Sequence, residues 1–401
     1  MSNFPRVRGL RTHELLLAAS IVLIAFNLRA AVTSIGPVLR DIVRDAQLSG
    51  FAASALTTLP TLCFGLTAFA AAGLARRVGT ERAVLVSLGL MTAGTALRAA
   101  IGPQALFTGQ ILAGAGIGVV NVLLPGLVKR DFPHHVPALT GLYTMAFCAG
   151  AAIAAGTTVP IAHALGGWRF ALGFWALPVL VAAAVWTTRL PSARATAAAP
   201  RVTVRGLWRD PLAWQVTLFM GLQSALAYIV FGWLPPILRD RGMSAVDAGL
   251  VLSISVIAQA VASLVAPSLA TRGPDQRAHL AGAMALTLLG LLGAMYLPLA
   301  TVWLWAVVLG VAQGALIAVA LTVIVLRAGD VHVAGQLSGM AQGVGYLLAS
   351  AGPLVAGMLH FWTNGWAAVA IFCTLLAVIA AAAGWGAGRA RVVSAAAQPP
   401  L

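Results

Sequence analysis

Apolar residues run along this chain in long unbroken blocks, with polar residues gathered between them. A helix that crosses a bilayer core needs roughly 20 apolar residues. Twelve blocks meet that length: 14–38, 50–72, 83–102, 104–128, 137–164, 168–188, 211–237, 246–268, 279–298, 301–326, 334–360 and 365–387. They are continuous rather than alternating, so they predict helices and not the strands of a membrane barrel. The first block is too long for a signal-peptide core, and no A-x-A site follows it. The longest polar stretch is RLPSARATAAAPRVTVRGLWRD at 189–210. It predicts a cytoplasmic linker between an N-terminal six-helix bundle (1–188) and a C-terminal six-helix bundle (211–387). The Ala/Gln/Pro segment 388–401 is expected to be a disordered cytoplasmic tail.

Composition agrees with an all-α membrane protein. Of 401 residues, 60% are hydrophobic and 9% charged, against about 25% charged in soluble domains. A soluble enzyme, a secreted scaffold and a disordered chain are thereby excluded. Cys63, Cys148 and Cys373 all fall inside blocks, where they read as small apolar packers. No phosphate-binding loop, zinc-ligand cluster or catalytic triad is present, so neither an enzyme nor a cofactor or metal is expected.

The net charge of +15 would suggest nucleic acid in a soluble protein. Here the cations are dispersed over short loops. With the N-terminus cytoplasmic, eighteen fall on the inner side: Arg6, Arg8, Arg11, Arg76, Arg77, Arg82, Lys129, Arg130, Arg189, Arg194, Arg201, Arg205, Arg209, Arg272, Arg277, Arg327, Arg389 and Arg391. Six fall outside: Arg40, Arg44, Arg98, Arg169, Arg239 and Arg241. This asymmetry predicts a multi-pass inner-membrane protein with both termini cytoplasmic. Its basic loops would meet anionic inner-leaflet lipids, with no nucleic-acid partner.

The two halves are copies. LARRVGTERAVL (74–85) recurs as LATRGPDQRAHL (269–280), and GPVLRD (36–41) as PPILRD (235–240). HVPALTG (135–141) recurs as HVAGQLSG (332–339), and Gly167-Trp168 as Gly365-Trp366. The matches keep chain order and nearly one offset, which implies a parallel 6+6 repeat about an axis normal to the membrane.

The 2–3 loop AGLARRVGTER resembles the loop motif G-x-L-A-D-R-x-G-R-[RK] of the major facilitator superfamily, with Ala72 and Arg76 in place of its Gly and Asp. Gln110 through Gly118 in the fourth block resembles that superfamily's R-x-x-x-G-x-G pattern, with Gln110 in place of the Arg. The strings FNLRAAVTSIGPVL (26–39), NVLLPGLVKRDFP (121–133), GLQSALAYIVFGWLPPIL (221–238) and SGMAQGVGYLLASAGPL (338–354) resemble the cyanate/nitroimidazole transporter family. The resemblance spans essentially the whole chain. It implies twelve helices rocking as two halves around a midplane site, and it makes Arg76, Arg77, Arg82, Arg272 and Arg277 candidates for a gating loop.

One cation remains. Arg29 lies fifteen residues into the first block, near mid-membrane. An Arg at that depth costs at least about 2.5 kcal/mol to insert and normally faces a bundle interior. All ten acids fall in loops or at block ends. Arg29 therefore reads as a fixed cation for an anion or a polarised oxygen, since its planar fork donates paired hydrogen bonds and stays charged. Thr33 lies one turn on, on the same face. Asn27 lies about 200° round the helix from Arg29 and can instead bridge to a neighbour. Asn121, Gln223, Tyr228, Trp233, Gln342 and Tyr346 complete the candidate substrate contacts. Gln342 and Tyr346 are spaced to share one helix face.

The expected function is transport, secondary active or facilitative, of a small polar or anionic solute by a monomer. An efflux pump of the same fold for neutral or cationic compounds is the first alternative. A non-transporting membrane receptor is the second. Facilitated diffusion, anion exchange and proton coupling all remain open as the energy source.

Overall fold

The computed structural model describes residues 12–132, 135–188, 203–273 and 275–398. Most of the expected linker, 189–202, lies outside these. The first apolar block is two helices, α1 (Thr12–Thr33) and α2 (Ile35–Asp45). Pro37 carries no N–H for the Thr33 carbonyl, and the helix is interrupted at Ser34. Then follow α3 (Gly50–Val78), α4 (Thr80–Leu97), α5 (Pro103–Asp131) and α6 (Val136–Leu165). The sixth block is again divided, into α7 (Trp168–Phe174) and α8 (Ala176–Thr187). The second half comprises α9 (Pro211–Asp240), α10 (Ala245–Ala270), α11 (Arg277–Tyr296), α12 (Val302–Leu326), α13 (Val331–Thr363) and α14 (Ala367–Ala387). Eleven of the resulting spans are long and apolar enough to cross a membrane, and α4, at 18 residues, is the twelfth.

Packing repeats the sequence repeat. Within the first half α1 packs on α6, and α5 on α3 and α4; within the second α9 packs on α13, and α12 on α10 and α11. The halves meet along α3 with α13 and α6 with α10, and at the contact of α2 with α9. Small residues permit the closest approaches. A Cβ on Gly150 of α6 would stand 1.8 Å from the Phe26 carbonyl of α1, and one on Gly36 would stand 2.4 Å from the Phe231 carbonyl of the other half. We call the end carrying Arg76 and Arg272 the inner end, and that carrying Arg40 and Arg239 the outer end.

Two sequence expectations change. The tail after Ala387, expected to be disordered, is ordered through Gln398. Its strand β2 (Ala396–Gln398) pairs antiparallel with β1 (Thr203–Arg205), just before α9. The tail's backbone groups find specific partners: Val393 N–H donates to the Arg327 carbonyl at 2.8 Å, and Ser394 N–H to Asp210 Oδ2 at 2.6 Å. Val393 and Ala395 are buried. The second change is Arg98, counted above among the outer loop cations. It caps α4, but its side chain turns back into the bundle and is fully buried.

Candidate functional site

A cavity of about 220 Å³ lies between the halves and runs from Arg29 toward the inner end. Drug-sized ligand pockets span roughly 300–1,000 Å³, so this one suits a solute of few atoms. Arg29 projects into it from α1, five residues before the Ser34 interruption. Its guanidinium stands 4.4 Å from the ring centre of Phe147, 5.1 Å from Phe231 and 5.4 Å from Tyr228. Such ring faces stabilise a cation while leaving its in-plane N–H groups free. Among the described residues the Arg29 side chain has no ion pair or hydrogen bond, and no Asp or Glu lines the cavity.

Six of the nine residues predicted as substrate contacts meet here: Arg29, Asn121, Gln223, Tyr228, Gln342 and Tyr346. The Gln223 amide donates to Ser224 Oγ at 2.8 Å, and the Gln342 amide to Ser338 Oγ at 2.8 Å. Tyr228 and Tyr346 meet edge-on at 6.4 Å, and each packs on Phe64 at 6.2 Å. This fixes their rings at one wall.

The other three point elsewhere. Asn27 is buried and donates to the Leu23 and Pro178 carbonyls, tying α1 to α8. Thr33 folds back on the Arg29 carbonyl at 3.0 Å and reaches the Ala151 carbonyl at 3.1 Å, so the close packing of α6 covers it. Trp233 lies at the outer end, where its indole donates to the Pro353 carbonyl at 3.1 Å.

The cavity also takes residues not predicted from sequence: Tyr143, Thr144 and Phe147 of α6, Gln259 and Ser263 of α10, and Cys148, read above as a packer. Gln259 and Ser263 are polar residues one turn apart in an apolar block, a signal available in the sequence. Phe147 gave none.

The outer end is closed by the repeated Leu-Arg-Asp string. Arg239 donates to both Asp41 oxygens, at 3.1 and 3.3 Å, and Arg40 pairs with Asp240 at 3.1 Å. Each half thus contributes one Arg and one Asp to the other. The repeated Gly-Trp pairs brace these ends. Trp366 donates to Asp240 at 3.0 Å and stacks on His360, while Trp168 donates to Asp45 at 3.1 Å.

At the inner end, Arg76, Arg77, Arg82 and Arg272 are exposed and form no ion pair among the described residues. Arg277 approaches Asp275 at 3.6 Å and lies over the Trp385 ring. Arg130 pairs there with the buried Glu81 at 2.7 Å and so holds α5 to α4.

The sequence model of the Major Facilitator Superfamily matches residues 19–353. A "2-nitroimidazole transporter" of Escherichia coli (strain K12) is 39% identical over 383 residues, 94% of this chain and 96% of that protein. The "Cyanate transport protein CynX" of the same organism is 32% identical, covering 85% and 88% respectively. Among solved structures, a bacterial homologue of the human lysosomal transporter Spinster superposes with a TM-score of 0.77 at 15% identity, covering 95% of this chain and 98% of that one.

Proposed function

Since this chain belongs to the Major Facilitator Superfamily, with the 2-nitroimidazole and cyanate transporters among its relatives, we propose that it carries a small anionic or strongly polar solute across the membrane. The solute sits at Arg29, and the two halves rock around it. The observation that carries this reading is a mid-membrane guanidinium, stacked between rings yet without any carboxylate, in a cavity sized for few atoms. A buried cation left unpaired is costly, and an anion or a nitro or carbonyl oxygen supplies the missing acceptor. Asn121, Gln223 and Gln342 offer amides to the same solute, and the Tyr228 and Tyr346 rings favour a flat one. The relatives' names fit this chemistry: cyanate is an anion, and a nitroimidazole is flat and carries a polarised nitro group.

The reading includes a cytoplasmic inner end, on the distribution of the loop cations. The test is uptake of labelled cyanate, nitrate and 2-nitroimidazole into proteoliposomes. A hydrogen bond to a charged group is worth about 1.5–3 kcal/mol, so Arg29→Ala should lose about ten- to a hundredfold in transport. Arg29→Lys should recover part of that loss for anions. Undiminished transport by a folded Arg29→Ala protein overturns the assignment.

A further inference from the structure

Arg29 is not the only guanidinium without a counter-ion. Arg98 is fully buried, and among the described residues no carboxylate pairs with it. Its Nη1 donates to the Ala31 carbonyl at 2.7 Å and, at 3.4 Å, to Gln110 Oε1. Among the described residues, its Nε and Nη2 have no partner. Space for the side chain is provided by glycine: a Cβ on Gly109 would stand 2.9 Å from Arg98 Cγ. A cation held this way polarises the acceptors it reaches, here the Ala31 carbonyl and, at longer range, the amide of Gln110.

Gln110 is itself buried, and its Nε2 donates to the Leu56 carbonyl at 3.3 Å. It faces a recess of about 10 Å³, near the size of one water. Tyr228 and Phe231 line this recess and also line the Arg29 cavity. One layer of rings therefore separates the two spaces. That layer belongs to the second half, whereas Arg29, Arg98 and Gln110 all belong to the first.

We propose that Gln110, polarised by Arg98, is a second contact for the transported anion, used only when the outer end is open. This rests on the Arg29 reading above. Rocking the halves apart at the outer end carries Tyr228 and Phe231 away with α9 and joins the recess to the space around Arg29. The Gln110 amide N–H that Leu56 does not engage then reaches a solute that Arg29 already holds. With the outer end closed, the rings restore the partition and the solute keeps only its contacts in the inner cavity. Gln110 thus sets affinity for solute arriving from outside and has no effect on solute bound from inside.

The test compares the two sides. Cyanate KM is measured for uptake into intact cells and for efflux from preloaded cells, with 2-nitroimidazole in parallel as a neutral probe. Gln110→Leu is expected to raise the uptake KM about tenfold and leave the efflux KM within twofold. Gln110→Glu supplies Arg98 with a buried counter-ion, so it should fold even if Gln110→Leu does not. It should raise the uptake KM for cyanate more than that for 2-nitroimidazole. An uptake KM within twofold of wild type in both variants, or an equal rise from both sides, overturns the proposal. Arg29→Ala run alongside separates the two failures. If Arg29→Ala loses transport while the Gln110 variants do not, only the outer contact is wrong; if Arg29→Ala transports normally, the site assignment itself falls.

Discussion

Arg239 and Asp41 stand 198 positions apart in the chain and are joined by two hydrogen bonds across the interface between the halves. The reciprocal pair, Arg40 with Asp240, is its copy under the internal repeat. Both pairs are partly exposed, so solvent screens them, and each is worth about 0.5–1 kcal/mol, or a two- to fivefold shift in an equilibrium. Asp41→Asn should therefore shift the population toward an open outer end by that factor. Spin labels at Gln47 and Ser244 would record it as a longer distance. The double exchange Asp41→Arg with Arg239→Asp should restore the closed distance. Raising salt should weaken the wild-type closure more than that of Asp41→Asn, which keeps only the Arg40–Asp240 pair.

The Arg29 environment separates ring from hydroxyl. Tyr228 offers its ring face to the guanidinium, and among the described residues its hydroxyl has no hydrogen-bond partner. Tyr228→Phe should transport within twofold of wild type. Tyr228→Leu removes a cation–π contact worth about 0.5–2 kcal/mol, and Phe147→Leu removes the nearer one. Both should raise KM for anionic probes several-fold, as measured in proteoliposome uptake.

Much of this site was legible because a polar group inside an apolar block is conspicuous. Arg29, Asn121, Gln223, Tyr228, Gln342 and Tyr346 all announce themselves that way, and all line the cavity. Asn27 and Thr33 carried the same signal, but the Asn27 amide N–H groups and the Thr33 hydroxyl are consumed by backbone carbonyls. Only the packing of α8 and α6 reveals that. Arg98 misled for a different reason. Its Cα lies at a helix end, where sequence position suggests a loop cation, but its long stem reaches back past Gly109 into the bundle. Phe147 was invisible, because an aromatic in an apolar block has no mark that separates a cavity wall from a lipid-facing surface. The twelve spans and their two-fold repeat were legible throughout, since block length and loop strings record them directly. The tail was misread from composition because its partners, Asp210 and Arg327, lie far away in the chain.

At the inner end the mutational ranking should follow pairing rather than motif position. Arg130 is bonded to a Glu81 side chain that is only 5% exposed. Arg130→Ala leaves that carboxylate buried without its partner and should cost about 1–3 kcal/mol. Arg77→Ala removes an exposed cation with no ion pair among the described residues, and should fall within about 0.5 kcal/mol of wild type. Thermal unfolding in detergent would compare the two.

Asp210 caps α9 by accepting the Leu212 and Ala213 N–H groups at 2.7 and 3.0 Å, and it also accepts the tail's Ser394 N–H. Burial pushes its carboxyl up, but the backbone donors from Ser394, Ala213 and Leu212 outweigh that and hold it below the usual range. Its contribution to stability is therefore complete above the unfolded value of about 3.9, and is lost as pH falls through the lower folded value. Tail attachment should thus be unchanged from pH 8 to pH 5. Asp210→Ala should cost about 0.5–2 kcal/mol, as for other N-caps, and should expose the tail to proteolysis near Arg389 and Arg391 at neutral pH.

The pairing of β1 with β2 gives the second half a topology that its helices alone do not have. The chain enters that half at Thr203–Arg205 and leaves it at Ala396–Gln398, and the two points are hydrogen-bonded to each other. The half is in effect a ring closed by noncovalent bonds, with its entrance and exit in one place. In the proposed rocking, traction on the linker is shared with β2, and α9 does not take it alone. A half fastened at both these points would turn as a unit without unravelling from either one.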